Sequence, residues 1–323
     1  MSERIPGIHH ITAIAGDPQR NHDFYTGLLG LRLVKRTVNF DDPGTYHLYF
    51  GDGAGHPGTI LTFFPWPGVP RGRRGTGEVS ATAFLVPAGA LDFWAKRLGA
   101  AGLASARIRE RFGEPVLTFE DPDGMSLELI ESEALAPAAH LPRLAAEAAI
   151  PAPNAIAGFH SATLDLRSRG RTEALLGTTM GFEPAGEEEG RRRFRAAGQG
   201  PGAAVDTLES PGSRRGELGA GSVHHIAWRT RDDSTQAEWL ERLPRLGLDV
   251  TPVQDRQYFR SIYFREPGGV LFEIATDPPG FATDESLEHL GEALKLPPWL
   301  EPTRARIESM LPPLKLRAAG RSQ

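Results

Sequence analysis

Two pairs of adjacent histidines, His9–His10 in IHHITAIA (8–15) and His224–His225 in VHHIAWRT (223–230), open matching apolar alternations more than two hundred positions apart. Close to the second pair, Glu273 stands inside the otherwise apolar run VLFEIAT (270–276). Two imidazoles and a carboxylate hold one face of a six-coordinate metal and leave positions open for substrate and dioxygen, the donor set of non-haem iron(II) oxygenases. Cysteine is absent, which removes thiolate ligands, disulfides and cysteine nucleophiles and leaves nitrogen and oxygen as the only metal donors. A lone histidine on an apolar strand is more often a hydrogen-bonded core residue. Here the coincidence carries weight, because a glutamate buried in such a run needs a cation or strong hydrogen bonds.

In a strand, neighbouring residues point to opposite faces, so only one histidine of each pair is expected on a common concave surface. An internal repeat decides which. Module one runs from His9–His10 through NHDFYTGLLGLRLV (21–34) and TYHLYFGD (45–52) to TILTFFPW (59–66). Module two starts at Val79 and continues through LDFWAKRLGAAGL (91–103) to PVLTFEDPDGMSLELIE (115–131). Module three opens with GFHSATLDL (158–166) and RTEALLGTTMGFEP (171–184), and module four follows VHHIAWRT with STQAEWLERLPRLGL (234–248) and YFRSIYFREPGGVLFEIAT (258–276). Aligned, the first strands place His10, Ala81, Ser161 and His225 in one slot. The last strands place Thr62, Glu128, approximately Asp206, and Glu273 in a second. Modules one and four together supply His10, His225 and Glu273, while two and three form a degenerate structural half. Glu128 lacks a histidine companion and is expected in a salt bridge or on an exposed strand face. His22, His47, His56, His140, His160 and His289 are expected to be structural.

Each module reads as strand, helix and hairpin. In module four, Ser234 or Thr235 is expected to cap the helix, Trp239, Leu240 and Leu243 form its apolar stripe, Pro244 closes the last turn and Gly247 ends it. Turn signals Asp121-Pro122-Asp123-Gly124 and Glu266-Pro267-Gly268-Gly269 divide the terminal hairpins. The expected class is α+β, with four βαβββ modules paired into two curved mixed sheets. The expected divisions are an N-terminal module pair (1–135) giving one ligand, an alanine- and proline-rich linker (136–157), a C-terminal pair (158–276) giving two ligands, and an extension (277–323) that packs on the fold and is helical in part over 285–296.

At 323 residues the chain has room for two units of ordinary domain size, and no apolar tract is long enough for a membrane span. The N-terminus MSERIPGIHHIT lacks the pattern of an export signal, which points to a cytoplasmic location. A net charge of -5 with scattered basic residues argues against nucleic-acid binding, and the runs Arg71 to Arg74 and Arg191 to Arg195 are expected to be solvated loop or edge-strand charges.

GIHHITAI (7–14), NHDFYTGLLGLRLVKRTVNFDDP (21–43), HLYFGD (47–52), VHHIAWRT (223–230), QYFRSIYFREPGGVLFEIATDPPGF (257–281) and LPPWLE (296–301) together resemble the vicinal oxygen chelate superfamily, the glyoxalase, bleomycin-resistance and extradiol dioxygenase group. Within it they are most similar to hydroquinone ring-cleaving dioxygenases. The resemblance implies iron(II), with manganese(II) as the alternative, bound by His10, His225 and Glu273. It implies a small aromatic diol and dioxygen as substrates, and Tyr263, Arg256, His224 and Thr12 around the diol. Strand alternation turns His224 away from His225, so its participation requires a bulge or an outer-layer role. Exposed edge strands in such folds often pair, which leaves a homo-oligomer open. Two other functions compete: an oxygen-independent glyoxalase-like isomerase or lyase, whose sites usually carry two carboxylates, and a metal-free protein that sequesters an aromatic toxin.

Overall fold

The computed structural model describes residues 3–103, 107–132 and 150–316. Module one supplies β1 (Ile8–Ala15), β2 (Arg32–Asn39), β3 (Asp42–Gly51) and β4 (Ile60–Pro65), and module two β5 (Glu78–Pro87), β6 (Arg107–Arg111), β7 (Glu114–Glu120) and β8 (Ser126–Ser132). Module three supplies β9 (Gly158–Leu166), β10 (Glu183–Glu188), β11 (Arg191–Arg195) and β12 (Ala204–Glu209), and module four β13 (Val223–Thr230), β14 (Gln254–Asp255), β15 (Arg260–Arg265) and β16 (Leu271–Thr276). They form two curved, mixed, eight-stranded sheets, ordered β14-β15-β16-β13-β1-β4-β3-β2 and β10-β11-β12-β9-β5-β8-β7-β6. The outer modules of the sequence therefore share one sheet and the inner two the other: one joins four through antiparallel β1 and β13, and two joins three through antiparallel β5 and β9. His10, His225 and Glu273 thus share a single sheet.

The main core lies between the inner sheet faces and the helices, and includes Trp94, Trp228, Trp239 and Phe159. α1 (Pro18–His22) runs on into a π-helical turn, Asp23–Leu28; α2 is Leu91–Ala100; α3 (Gly170–Ala174) also passes into a π turn, Leu175–Thr179; and α4 is Asp233–Arg242. The α4 cap differs from expectation. Asp232 is the N-cap, and Thr235 completes a capping box from the third helical position, because the Asp232 carboxylate reaches the Thr235 amide at 2.9 Å. Trp239 and Leu243 are buried, and the 3₁₀ turn Pro244–Leu246 ends at Gly247, whose φ of 76° suits a residue without Cβ.

The extension packs on the first sheet through Phe281, Leu290, Leu296 and Ile307. Buried Lys35 ties it down through Asp284 at 2.6 Å and Glu285 at 2.5 Å. Its 285–296 segment forms a single 3₁₀ turn, Leu287–His289, rather than a longer helix; Gly291 presses against the Leu33 carbonyl, leaving no room for a side chain there. α5 (Arg304–Met310) follows. The loop over 66–77 lies along the segment over 215–220 through bridges between Arg71 and Ala220, Arg73 and Glu217, and Thr76 and Arg215. Of the proposed linker and the histidines read as structural, residues 133–149, including His140, lie outside the described residues.

The second sheet corrects one expectation. Arg191 to Arg195 is neither a solvated loop nor an edge strand, because it forms β11, between β10 and β12, and its Arg193 points inward and is only 2% exposed. Arg193 forks onto fully buried Asp206 (2.8 and 3.1 Å) and reaches Glu114 (2.5 Å), while Arg111 forks onto Glu128 at 2.7 and 3.0 Å. In this half the carboxylates of the second slot are neutralised by guanidinium groups. Arg193→Met should lower unfolding free energy by about 3–5 kcal/mol, because it removes the guanidinium that forks onto fully buried Asp206. Urea unfolding at constant m-value reads the loss; a change under 1 kcal/mol would show that the cluster is solvated.

Candidate metal centre

Strand register sets the site. Pairing aligns Thr12 with Thr62, Ala83 with Glu128, Thr163 with Asp206 and Ala227 with Glu273, one equivalent pair per module. In each case the first-strand slot of His10, Ala81, Ser161 or His225 lies two residues earlier on the same face. The β1–β13 ladder breaks at His9, between the pairs Ile8–Trp228 and His10–Ala227, and at His224, between Thr12–His225 and Ala13–Val223. The β5–β9 ladder breaks correspondingly at Ser80 and His160. These are bulges, and they bring both histidines of a pair to one side. His9 Nδ1 lies 2.9 Å from His10 Nδ1, and His224 Nδ1 lies 2.8 Å from His225 Nδ1. Each contact commits Nδ1 and leaves Nε2 of His10 and His225 facing inward.

His10, His225 and Glu273 are all buried, and their donor atoms lie within 4.8 Å of one another. Glu273 Oε2 stands 2.9 Å from His225 Nε2 and 3.3 Å from His10 Nε2. Among the described residues Oε2 nevertheless accepts no properly directed hydrogen bond, while Ser261 donates to the other oxygen, Oε1. A fully buried carboxylate oxygen left in this way is costly unless a cation sits among the three atoms. Burial pushes the Glu273 carboxyl up, but the His10 and His225 imidazoles outweigh it and hold the group well below the usual carboxylate range. Burial, with His225 alongside, draws His224 down to about 3, so its ring is neutral. Two nitrogens and one oxygen fit a non-haem iron or manganese ion.

His10 and His225 line a cavity of about 540 Å³, with Phe40, Phe64, Trp66 and Phe259 among its walls, and fully buried Glu273 lies behind them. Arg256 and Tyr263 line it too. Arg256 Nε donates to the Tyr263 hydroxyl at 3.1 Å, and other guanidinium nitrogens reach Asp41 at 3.1 Å and Gln254 at 2.5 Å. His224 reaches the cavity, whereas Thr12 does not; its hydroxyl accepts from Thr62 at 2.9 Å below the floor. His47, expected to be structural, faces the cavity beside Tyr49. Alternation in TYHLYFGD places His47 and Tyr49 on one face, but cannot say that the sheet curves that face toward the metal donors. The remaining described histidines have local partners, including Glu114 for His160 and Asp52 for His56. Glu128, in its salt bridge, stays apart from the centre.

Four βαβββ units in two sheets, with a His–His–Glu donor set open to a cavity, define the vicinal oxygen chelate class. The chain belongs to the Glyoxalase/Bleomycin resistance protein/Dioxygenase superfamily, whose family model matches residues 7–129 and 150–274. It is 50% identical over 323 residues to the Bacillus subtilis protein named "Putative ring-cleaving dioxygenase MhqO", spanning 98% of this chain and 99% of that protein. It is 36% identical over 307 residues to the chlorohydroquinone/hydroquinone 1,2-dioxygenase of Sphingobium indicum, spanning 93% of this chain and 94% of the relative. Maize glyoxalase I has the same fold, with a TM-score of 0.63 at 15% identity over 84% of this chain and 92% of that one. No described helix is long and apolar enough to cross a membrane.

Proposed function

We propose that this enzyme opens the ring of a hydroquinone-type aromatic diol with dioxygen, at an iron(II) centre held by His10 Nε2, His225 Nε2 and the Glu273 carboxylate. The observation that carries the proposal is the convergence of three buried donors, one of them a carboxylate oxygen without a hydrogen-bond donor among the described residues, at an aromatic-walled cavity that His10 and His225 line. Relatives named for ring cleavage along nearly their whole length support it. Manganese(II) suits the same donors. When bound, the metal supplies Lewis-acid and redox chemistry for an ionised diol oxygen and dioxygen.

The chain's own side chains do the rest. Phe40, Phe64, Trp66 and Phe259 offer apolar walls to a flat ring. Arg256 contributes a fixed positive charge and, by donating to the Tyr263 oxygen, leaves the Tyr263 proton for a diol oxygen on which charge develops. His9 and His224 accept from the Nδ1–H groups of His10 and His225 and so hold each ring with Nε2 toward the centre. Thr12 acts through Thr62 rather than on the ring. An oxygen-independent isomerase or lyase of this class uses a second carboxylate, and the slot for one is held by Thr62.

Oxygen uptake by protein loaded anaerobically with iron(II) tests the proposal, using methylhydroquinone and catechol as substrates. Uptake in proportion to a ring-opened product, faster with the hydroquinone, is the expected outcome. Tightly bound metal with no oxygen consumed by either diol would overturn it.

A further inference from the structure

Four polar side chains on the β3, β4 and β1 strands form a chain whose hydrogen-bond polarity can be assigned from one end. Thr62 donates its single hydroxyl proton to Thr12 Oγ1 at 2.9 Å. The Thr62 oxygen can therefore only accept from His47 Nε2, which lies 2.8 Å away. A neutral imidazole that carries its proton on Nε2 has only a lone pair on Nδ1. The Tyr49 hydroxyl, 2.8 Å from His47 Nδ1, must then donate to it. The ring stays neutral because burial, with His10 and His225 nearby, holds His47 well below the ordinary histidine value, and burial keeps Tyr49 protonated. The Tyr49 hydroxyl makes no other hydrogen bond among the described residues, and both Tyr49 and His47 line the cavity. Its proton is committed, so toward the cavity it can only accept.

Tyr263 has the opposite polarity. Its oxygen accepts from Arg256 Nε, leaving its proton free for an oxygen in the cavity. One cavity thus carries a tyrosine that donates, beside the metal donors, and a tyrosine that accepts, on the β3 wall. We propose that Tyr49, fixed as an acceptor by His47, Thr62 and Thr12, reads the second hydroxyl of a para-diol whose first oxygen is bound at the Tyr263 end, and so selects hydroquinones over phenols whose second oxygen has no proton. This rests on the proposed function and names the residues that set its substrate class.

The test compares anaerobic binding of hydroquinone and 4-methoxyphenol to the metal-loaded protein, read by quenching of the protein's tryptophan fluorescence, since Trp66 lines the cavity. The two ligands share one hydroxyl; the second oxygen carries a proton only in hydroquinone. Wild type should prefer hydroquinone about tenfold, the worth of one hydrogen bond kept against one lost. Tyr49→Phe, which removes one oxygen and leaves the ring packed, should bring the ratio near one by weakening hydroquinone alone. His47→Phe should also collapse the ratio, but by strengthening 4-methoxyphenol, because the released Tyr49 proton can then serve an ether oxygen. A purely structural role for His47 would weaken both ligands together. A ratio in Tyr49→Phe within twofold of wild type, with metal content unchanged, would overturn the assignment. The binding ratio needs no turnover, so it decides the role of Tyr49 even if the loaded enzyme consumes no oxygen, the result that would remove the proposed function.

Discussion

Glu273→Ala is expected to lose stoichiometric iron and, with it, ring cleavage, by a factor on the order of 10³ or more. A metal contributes several kcal/mol of charge stabilisation in such reactions, and each 1.4 kcal/mol is tenfold in rate. The loss should exceed that from altering any cavity-wall residue, because Glu273 is the only carboxylate among the three converging donors. The fold should survive. The substitution removes a buried oxygen that has no hydrogen-bond partner among the described residues, and the Ser261 hydroxyl that bonds the other oxygen is small. Metal analysis after dialysis, together with oxygen-electrode rates and far-UV circular dichroism, separates the outcomes. Full metal content with intact rate would remove Glu273 from the centre.

Tyr263→Phe should behave differently. Iron content is expected to stay at the wild-type level while kcat falls by about 10²–10³-fold, the usual cost of removing one donor aimed at developing charge. Arg256→Met should give a similar loss, because the two side chains act through one 3.1 Å contact and Arg256 also bonds Asp41 at the cavity mouth. The double variant is then expected to be little worse than either single one, since residues acting as a unit are not additive. Stopped-flow single turnovers on the loaded enzyme separate chemistry from product release. Unchanged single-turnover rates in Tyr263→Phe would leave the tyrosine as a packed strand aromatic.

The repeat made much of this legible. Four short strands carry equivalent residues, and a period-two alternation is enough to put His10 and His225 on a common face and to name Thr62, Glu128, Asp206 and Glu273 as a second slot. The strand registers reproduce both sets. What strict alternation could not provide is the bulge. It predicts that His9 and His224 turn away, whereas a residue inserted opposite a single partner brings each beside its neighbour. His47 and Tyr49 were hidden for a different reason. Their shared face is readable, but their place in the cavity depends on sheet curvature and on β3 lying three strands from β13. The inward arginines of the second sheet were misread because RRRFR looks solvated until Asp206 and Glu114 are found opposite Arg193. Long-range charge pairing of that kind leaves no local trace in composition.

Diffraction from crystals of the iron-loaded protein, recorded on either side of the iron absorption edge, addresses the metal centre most directly. A single anomalous peak within bonding distance of His10 Nε2, His225 Nε2 and a Glu273 carboxylate oxygen, on the floor of the cavity lined by Tyr263 and Arg256, is the expected result. A fully loaded crystal with its peak at any other cluster, or coordination lacking Glu273, would contradict the centre on which the proposed chemistry depends.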